Sequence, residues 1–529
     1  MSGFGETNKS KKRNISHLRQ KYDENEILKK AINFHYEGKI FQASQLYKLL
    51  IDKGCQNSTI FSNYGVILIN SGKLKDAEFF IRKAIKLNPK DSNAHYNLGG
   101  ILKNQRKIKD AEFFIRKAIE LNPKDSTAHY NLAIVLKDLG KLEESELSYR
   151  KAINIKPDYA EAHYNLGNIL SSLGKLEESE SSYCKVIDIN PNYIKAYYAL
   201  SLFKNSDEHK IWKKQLFSNS ILNQKSKEDQ IDIHFARANI LHKEKNYEDS
   251  SKFIKLGNQL NLIIHPSNSD VLINKSKTLY IETIKQEINQ KRYTKAQESI
   301  FIVGMPRSGS TLLESILSVN SDVYDLGESE ILEESFKDSK KSNQGLNLAE
   351  RYWEKINIHS KQTNKTTNKN LYNYSFTGII STQIPNAKII HCFRNPLDNI
   401  LSIYRTNFAH GNEYSSSLID CSRVYLNQDE VMTEYKKRFR DKIYDLNYDL
   451  LVCNPTREIK SLTSWLGWKW DDKYLSPHLN PRSVFTASKV QVRSPINAKS
   501  IGGWKNYKEM LKPAIEILTQ TEKYQDIIS

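Results

Sequence analysis

The sequence has few cysteines and prolines, and no stretch long and apolar enough to cross a bilayer. Its five cysteines, Cys55, Cys184, Cys392, Cys421 and Cys453, are odd in number and form no C-x-x-C pair. A disulfide framework and a zinc site are therefore not expected, and a reducing compartment is. No apolar run approaches the roughly 18 residues of a membrane span. The N-terminus, MSGFGETNKSKKRNISHLRQKYDENE, lacks the apolar core of a signal peptide. A soluble, cytoplasmic chain without membrane contact is the expectation. Residues 1–24 carry few apolar side chains and many charges, which predicts a disordered basic leader.

What is abundant is positive charge and length. In 529 residues, 79 Lys+Arg against 61 Asp+Glu give +18. That balance favours acidic ligands or partners. Lysine is spread nearly everywhere, so the charge is only weak support for nucleic-acid binding, and no nucleic-acid partner is expected. The length implies two or three domains.

The N-terminal half repeats. AHYNL begins at Ala94, Ala128 and Ala162 and AYYAL at Ala196, a period of 34, and Pro89, Pro123, Pro157 and Pro191 keep it. Each unit reads as an apolar-periodic run, a turn marked by Gly72, Gly140 or Gly174, a second run and a proline stop. The pattern resembles the tetratricopeptide repeat, with Leu98, Gly99 and Ala111 at its packing positions. His95, His129 and His163 stand where that repeat usually has tryptophan, and they are expected in the packing face or lining a groove, not as metal ligands. Units at 26–59, 60–93, 94–127, 128–161 and 162–195 should stack, since none buries its apolar face alone. A further helical pair over 232–262 caps the array. The domains expected are the leader at 1–24, the solenoid with its cap at 25–262, a helical linker at 263–298, and a second domain at 299–529.

That second domain opens with FIVGMPRSGSTLLESIL, Phe301–Leu317. An apolar strand hands over through glycines to a helix whose Leu312, Leu313, Ile316 and Leu317 recur at helical spacing. Bare N–H groups and the positive end of a helix make an anion site there, with hydroxyls from Ser308, Ser310 and Thr311. The spacing from Gly304 through Gly309 to Ser310 and Thr311 is that of a P-loop, except that Ser310 replaces the lysine and Arg307 is the loop's cation. The stretch resembles the phosphosulfate-binding loop of sulfotransferases, P-R-S-G-[ST]-T, whose arginine faces the sulfuryl group.

Four later segments extend the resemblance to tyrosylprotein sulfotransferases. A short strand near Asp322–Tyr324 leads to Glu328, which a gapless reading matches to that family's general base, with Glu330 as the rival. Lys369 matches the lysine of N-K-D-P, although Asn370 and Leu371 replace Asp and Pro. Arg394 leaves the strand Ala387–Cys392, and Ser402 lies eight residues on, in a helix opened by Pro396. This R-x7-S spacing is the family's site for the 3′-phosphate of 3′-phosphoadenosine 5′-phosphosulfate (PAPS). Arg405 lies one position out of register with another family arginine, and His391 is expected to pack in its strand. Tyr448 matches a PAPS-contacting tyrosine, and a core tyrosine fits it nearly as well. Ser488 matches a serine assisting transfer and Trp504 a tryptophan following it, where Gly503 replaces a lysine for which Lys499 or Lys505 could substitute.

The expected fold is an α solenoid of tetratricopeptide repeats followed by an α/β domain with a P-loop-like parallel sheet flanked by helices. The resemblance implies a PAPS-dependent sulfotransferase. Glu328, Arg307, Lys369 and Ser488 would be catalytic; Arg307, Ser308, Gly309, Ser310, Thr311, Arg394, Ser402 and Tyr448 would bind the co-substrate, and no metal is called for. Protein tyrosine is the first acceptor, presented by the repeats. A carbohydrate sulfotransferase and a repeat scaffold with a non-catalytic PAPS-binding domain are the alternatives.

Overall fold

The computed structural model describes residues 24–203, 210–285, 297–341, 346–359, 364–408, 411–480, 482, 484, 486 and 488–528. The basic leader and most of the residues between 286 and 297 lie outside them. Contacts divide the chain into two compact units, Met1–Ile169 and Leu170–Ser529. The sequence-based boundary at 262 falls inside the second.

The first unit consists of helical hairpins. Ser58–Asn70 pairs with Leu74–Leu87, Ser92–Asn104 with Ile108–Leu121, and Ser126–Asp138 with Leu142–Ile155. Asp91 and Asp125 cap the first helices of their hairpins, accepting the N–H of Ala94 at 3.1 Å and of Thr127 at 2.9 Å. Gly99 has no Cβ because Ile115 of the partner helix fills that space. Leu98 and Ala111 are fully buried in the same core as Phe61, Ile81 and Val135. The histidines repeat one bond. The ring Nε2 of His95, His129 and His163 meets the carbonyl of Pro89, Pro123 and Pro157 at 2.9, 3.0 and 3.0 Å. Each ring ties its helix to the proline turn before it, which is why histidine recurs there with the period of the proline.

The second unit begins at Leu170, near the end of the helix Ala160–Leu173, and continues with the repeat helices Leu176–Ile189 and Ile194–Ser201. The capping pair is Lys227–Lys243 and Tyr247–Ile264. These helices share a core with the C-terminal region: Ala238 and Ile254 pack with Leu397, Ile400, Trp504 and Tyr507. Asn258 donates to the Tyr404 carbonyl at 2.9 Å. His242 links Tyr507 and Arg405 through its two ring nitrogens, at 2.8 and 3.2 Å. An arginine only donates, so Nε2 of His242 accepts and Nδ1–H donates to the phenol. Burial first, and then Arg405, pull this histidine down to about 3.

Five parallel strands form the sheet: β1 Glu298–Gly304, β2 Val323–Asp325, β3 Lys365–Asn368, β4 Ala387–Phe393 and β5 Ile443–Asn447, in the order β2-β3-β1-β4-β5. Residues Ile300 to Val303 are fully buried, because a parallel sheet carries helices on both faces and its central strand is apolar on both. The order reverses at β1, between β3 and β4. Ligands of open α/β sheets bind beyond the carboxyl ends of strands at such a switch point. The ends of β1 and β4 are Gly304 and Phe393, so the glycine loop and Arg394 leave the sheet side by side. The α solenoid followed by a helix-flanked parallel sheet is thus the observed architecture. Among the described residues no helix is long and apolar enough to cross a membrane.

Candidate active site

The loop after β1 takes a shape that only its residues permit. Gly304 has φ +142°, and a Cβ there would strike the Cys392 carbonyl of β4. Gly309 has φ +94° and is the N-cap of Ser310–Leu317, and a Cβ there would strike the Tyr448 ring. Between them Arg307 is itself left-handed, at φ +65°. A non-glycine residue in that region is strained, and surrounding bonds hold it. Asn399 donates to the Pro306 carbonyl at 2.9 Å. The Arg307 side chain donates through Nε to Ser402 Oγ at 3.1 Å, through Nη1 to Ser488 Oγ, and through Nη2 to Gln491 Oε1 at 2.8 Å. All three partners are neutral. Burial first, and then Arg394, lower the guanidinium to about 10, so the site keeps an uncompensated cation aimed past the loop.

Ser308 Oγ is buried without a hydrogen-bond partner beyond the Cys392 thiol beside it. Ser310 and Thr311 open the helix, and the Thr311 hydroxyl meets that of Thr486 at 3.1 Å. Arg394 is buried. Its Nη2 donates to the Ser500 carbonyl at 2.8 Å, its guanidinium lies 4.9 Å from the centre of the Tyr448 ring, and its Nε has no hydrogen-bond partner. The Tyr448 hydroxyl meets Ser500 Oγ at 3.1 Å. Ser402 is bonded to Arg307, whereas Arg394 is held by Ser500, so each member of the R-x7-S pair has its own partner. Orphaned donors at Ser308 and Arg394, with a cation bound only by neutral groups, suit a ligand rich in phosphate and sulfate oxygens.

At the end of β3, Lys369 is 1% exposed, and its ammonium donates to Glu328 at 2.7 Å. Glu328 follows β2 and is 58% exposed. Its rival Glu330 is exposed and caps Ile331–Lys341 through its carbonyl. Lys369 also lies 3.6 Å from Glu314, a carboxylate with no exposure, which Arg482 reaches at 3.0 Å. Burial first, then Asp325, push Glu314 up to about 8 against the pull of Lys369 and Arg482. Trp504 is buried, and its N–H and that of Gly502 donate to Asp398 at 2.9 and 2.7 Å. Lys499 and Lys505 are exposed. Arg405 leans over Tyr507 at 5.4 Å. His391 is buried in β4, where Gln428 donates to its Nε2 at 2.7 Å and its Nδ1–H faces Asp445 at 3.3 Å.

Gln491, Glu314, Arg482 and Asp398 are site residues that motif reading passes over. Glu314 had a signal: it shares helical spacing with Ser310, Leu313 and Leu317, so a carboxylate was due on a buried face. Asp398 lies four residues after Arg394 and is 3.8 Å from it. Nothing local marks Gln491 or Arg482.

Residues 299–349 and 342–472 match the sulfotransferase family. Residues 135–174 match the TPR repeat and 160–193 the tetratricopeptide repeat, while 70–152 match anaphase-promoting complex, cyclosome, subunit 3. An uncharacterized protein of Aquifex aeolicus (strain VF5) is 28% identical over 55% of this chain and 43% of its own length. A protein-tyrosine sulfotransferase of Drosophila melanogaster is 24% identical over 43% of this chain and 52% of its own. The chain thus spans about half the length of the curated relatives it matches. The crystal structure of YrrB, a TPR protein with an unusual peptide-binding site, aligns over 38% of this chain and 97% of its own at TM-score 0.30 and 21% identity, too loosely to add to the fold. The chain joins tetratricopeptide repeats to a sulfotransferase-family domain.

Proposed function

We propose that the chain transfers a sulfuryl group from PAPS to the hydroxyl of a polypeptide tyrosine. The observation that carries this is Arg307, set in left-handed backbone inside the loop and bonded only to the neutral Ser402, Ser488 and Gln491. Bound PAPS supplies an activated sulfuryl group whose S–O bond to the 5′-phosphate breaks as the bond to the acceptor oxygen forms. The loop N–H groups with Ser308, Gly309, Ser310 and Thr311 hold the 5′ end, and Arg394 with Ser402 binds the 3′-phosphate. Tyr448 orients the nucleotide.

Sulfuryl transfer has a loose, in-line transition state like that of phosphoryl transfer, so positioning and fixed cations carry most of the catalysis. Arg307 and Lys369 stabilise the developing negative charge, and Ser488 holds the Arg307 fork in place. Glu328 takes the acceptor's proton; its 2.7 Å bond to Lys369 holds it at the sheet edge, and its exposure leaves it open to an acceptor from solvent. The relatives named as protein-tyrosine sulfotransferases support tyrosine over a saccharide. The repeats serve to present the polypeptide, in the cytoplasm.

The test is incubation with sulfur-labelled PAPS and a tyrosine peptide, followed by hydrolysis and identification of the labelled residue. Label on tyrosine is expected. Label confined to a saccharide, or none with wild type while Arg307→Ala behaves identically, overturns the reading.

A further inference from the structure

Gln491 and Ser488, which hold Arg307, belong to a segment with little regular structure, so something outside it must fix their position. Arg493, two residues on, binds three separate carbonyls. Nη1 donates to Asn480 at 2.7 Å, and Nη2 to Arg482 at 2.6 Å and to Ser172 at 2.9 Å. Ser172 lies in the last turn of the helix Ala160–Leu173, just before the turn that leads into Leu176–Ile189. The N–H of Val484 donates to that same Ser172 carbonyl at 3.1 Å. Gly174, φ +83°, completes the turn, and a Cβ there would come within 2.9 Å of the Arg493 guanidinium. Arg482, bound through its carbonyl, carries its own side chain to Glu314 on the loop helix.

We infer that Arg493 is a positioning residue that anchors the Ser488–Gln491 segment to the Ser172–Gly174 turn, so that this repeat turn sets the geometry of Arg307 independently of any acceptor the repeats bind. The arrangement is a chain of fixed contacts. The repeat turn holds Arg493, Arg493 fixes the short turn Gln491–Arg493, and that turn delivers Gln491 and Ser488 to the guanidinium. A planar guanidinium fixes its donors on separate nitrogens at set spacing and so spans carbonyls from two segments, whereas an ammonium gathers its three donors on one atom. Helix ends and backbone carbonyls of a rigid hairpin are a firmer support than a loop can be for itself. A misplacement of about 1 Å at such a distance from the chemistry can cost about 100-fold in rate.

This inference rests on the proposed transfer only for its rate measurement, so the experiment has an arm that does not depend on activity. In the full chain, Arg493→Ala, Arg493→Lys and Gly174→Ala are compared with wild type. Amide exchange at Val484 and Val492 should rise about tenfold or more in all three, with exchange at Val303 and Leu313 unchanged. Turnover of labelled PAPS with a free tyrosine ester should fall about 10- to 100-fold, while affinity for adenosine 3′,5′-bisphosphate stays within about threefold. Unchanged exchange in Arg493→Ala and Gly174→Ala overturns the anchor. Raised exchange with wild-type turnover overturns the positioning role. A wild-type chain that binds no bisphosphate refutes the transfer reading instead, and the exchange arm then decides the anchor alone.

Discussion

Glu328→Gln separates proton removal from co-substrate binding, because the residues assigned to the nucleotide lie on the loop and beyond β4 and β5 whereas Glu328 follows β2. Glutamine keeps the size and can still accept a hydrogen bond from the Lys369 ammonium, but it takes no proton from an acceptor hydroxyl. A positioned general base typically supplies about 100- to 10,000-fold in rate, or roughly 3 to 5 kcal/mol of barrier. Turnover should fall by that factor. Stability should hardly move. Glu328 is 58% exposed, so solvent screens its charge, and the glutamine amide oxygen can still accept a hydrogen bond from the Lys369 ammonium. The assay is initial rate with labelled PAPS and a tyrosine peptide, beside calorimetric titration of adenosine 3′,5′-bisphosphate, whose affinity should stay within about threefold. Glu330→Gln is the control and should leave the rate within about twofold, since it has no contact with Lys369. Turnover unchanged in Glu328→Gln, or nucleotide affinity that falls in step with the rate, would refute the assignment. A loss confined to Glu330→Gln would move the base two residues on.

Arg394→Ala should weaken adenosine 3′,5′-bisphosphate by about 1 to 3 kcal/mol by calorimetry, the scale of a hydrogen bond to a charged group, and leave AMP affinity almost unchanged; equal losses for both would remove the 3′-phosphate from this arginine. A chain beginning near Lys285 loses Ala238 and Ile254 from the core they share with Trp504 and Tyr507, together with the Asn258 and His242 bonds, and should show no cooperative melt, whereas one beginning just before Lys227 should keep it; equal melting of the two by circular dichroism would contradict this. His242 is held near 3 in the folded chain against about 6.5 unfolded, so the unfolded state binds the extra proton between those values and stability falls as pH drops from about 6.5 toward 3, by up to about 1.4 kcal/mol per pH unit. Thermal melts from pH 7 to pH 4 should therefore decline less steeply for His242→Gln than for wild type.

The repeats and the glycine loop were legible in the residues because both depend on local rules. A period of 34 with prolines and paired apolar runs specifies helical hairpins, and glycines between an apolar strand and a helical pattern specify the strand-to-helix turn. The strands at Ala387 and near Val323 were readable for the same reason, as was the helix that Pro396 opens. Motif spacing also singled out Arg307, Lys369, Arg394 and Tyr448, and the structure sets each of them just beyond the end of a strand. What spacing could not supply is which groups meet. Ser402 bonds Arg307 and not Arg394, Lys369 sits between Glu328 and a buried Glu314, and Tyr448 fills the space that Gly309 leaves. Those pairings join residues from about 40 to about 140 positions apart. Nor does any periodicity show that the capping helices share their core with Trp504 and Tyr507, or that Arg493 reaches back to Ser172. Hydrophobic periodicity records which face of an element is buried, whereas only the packed tertiary structure decides what that face is buried against.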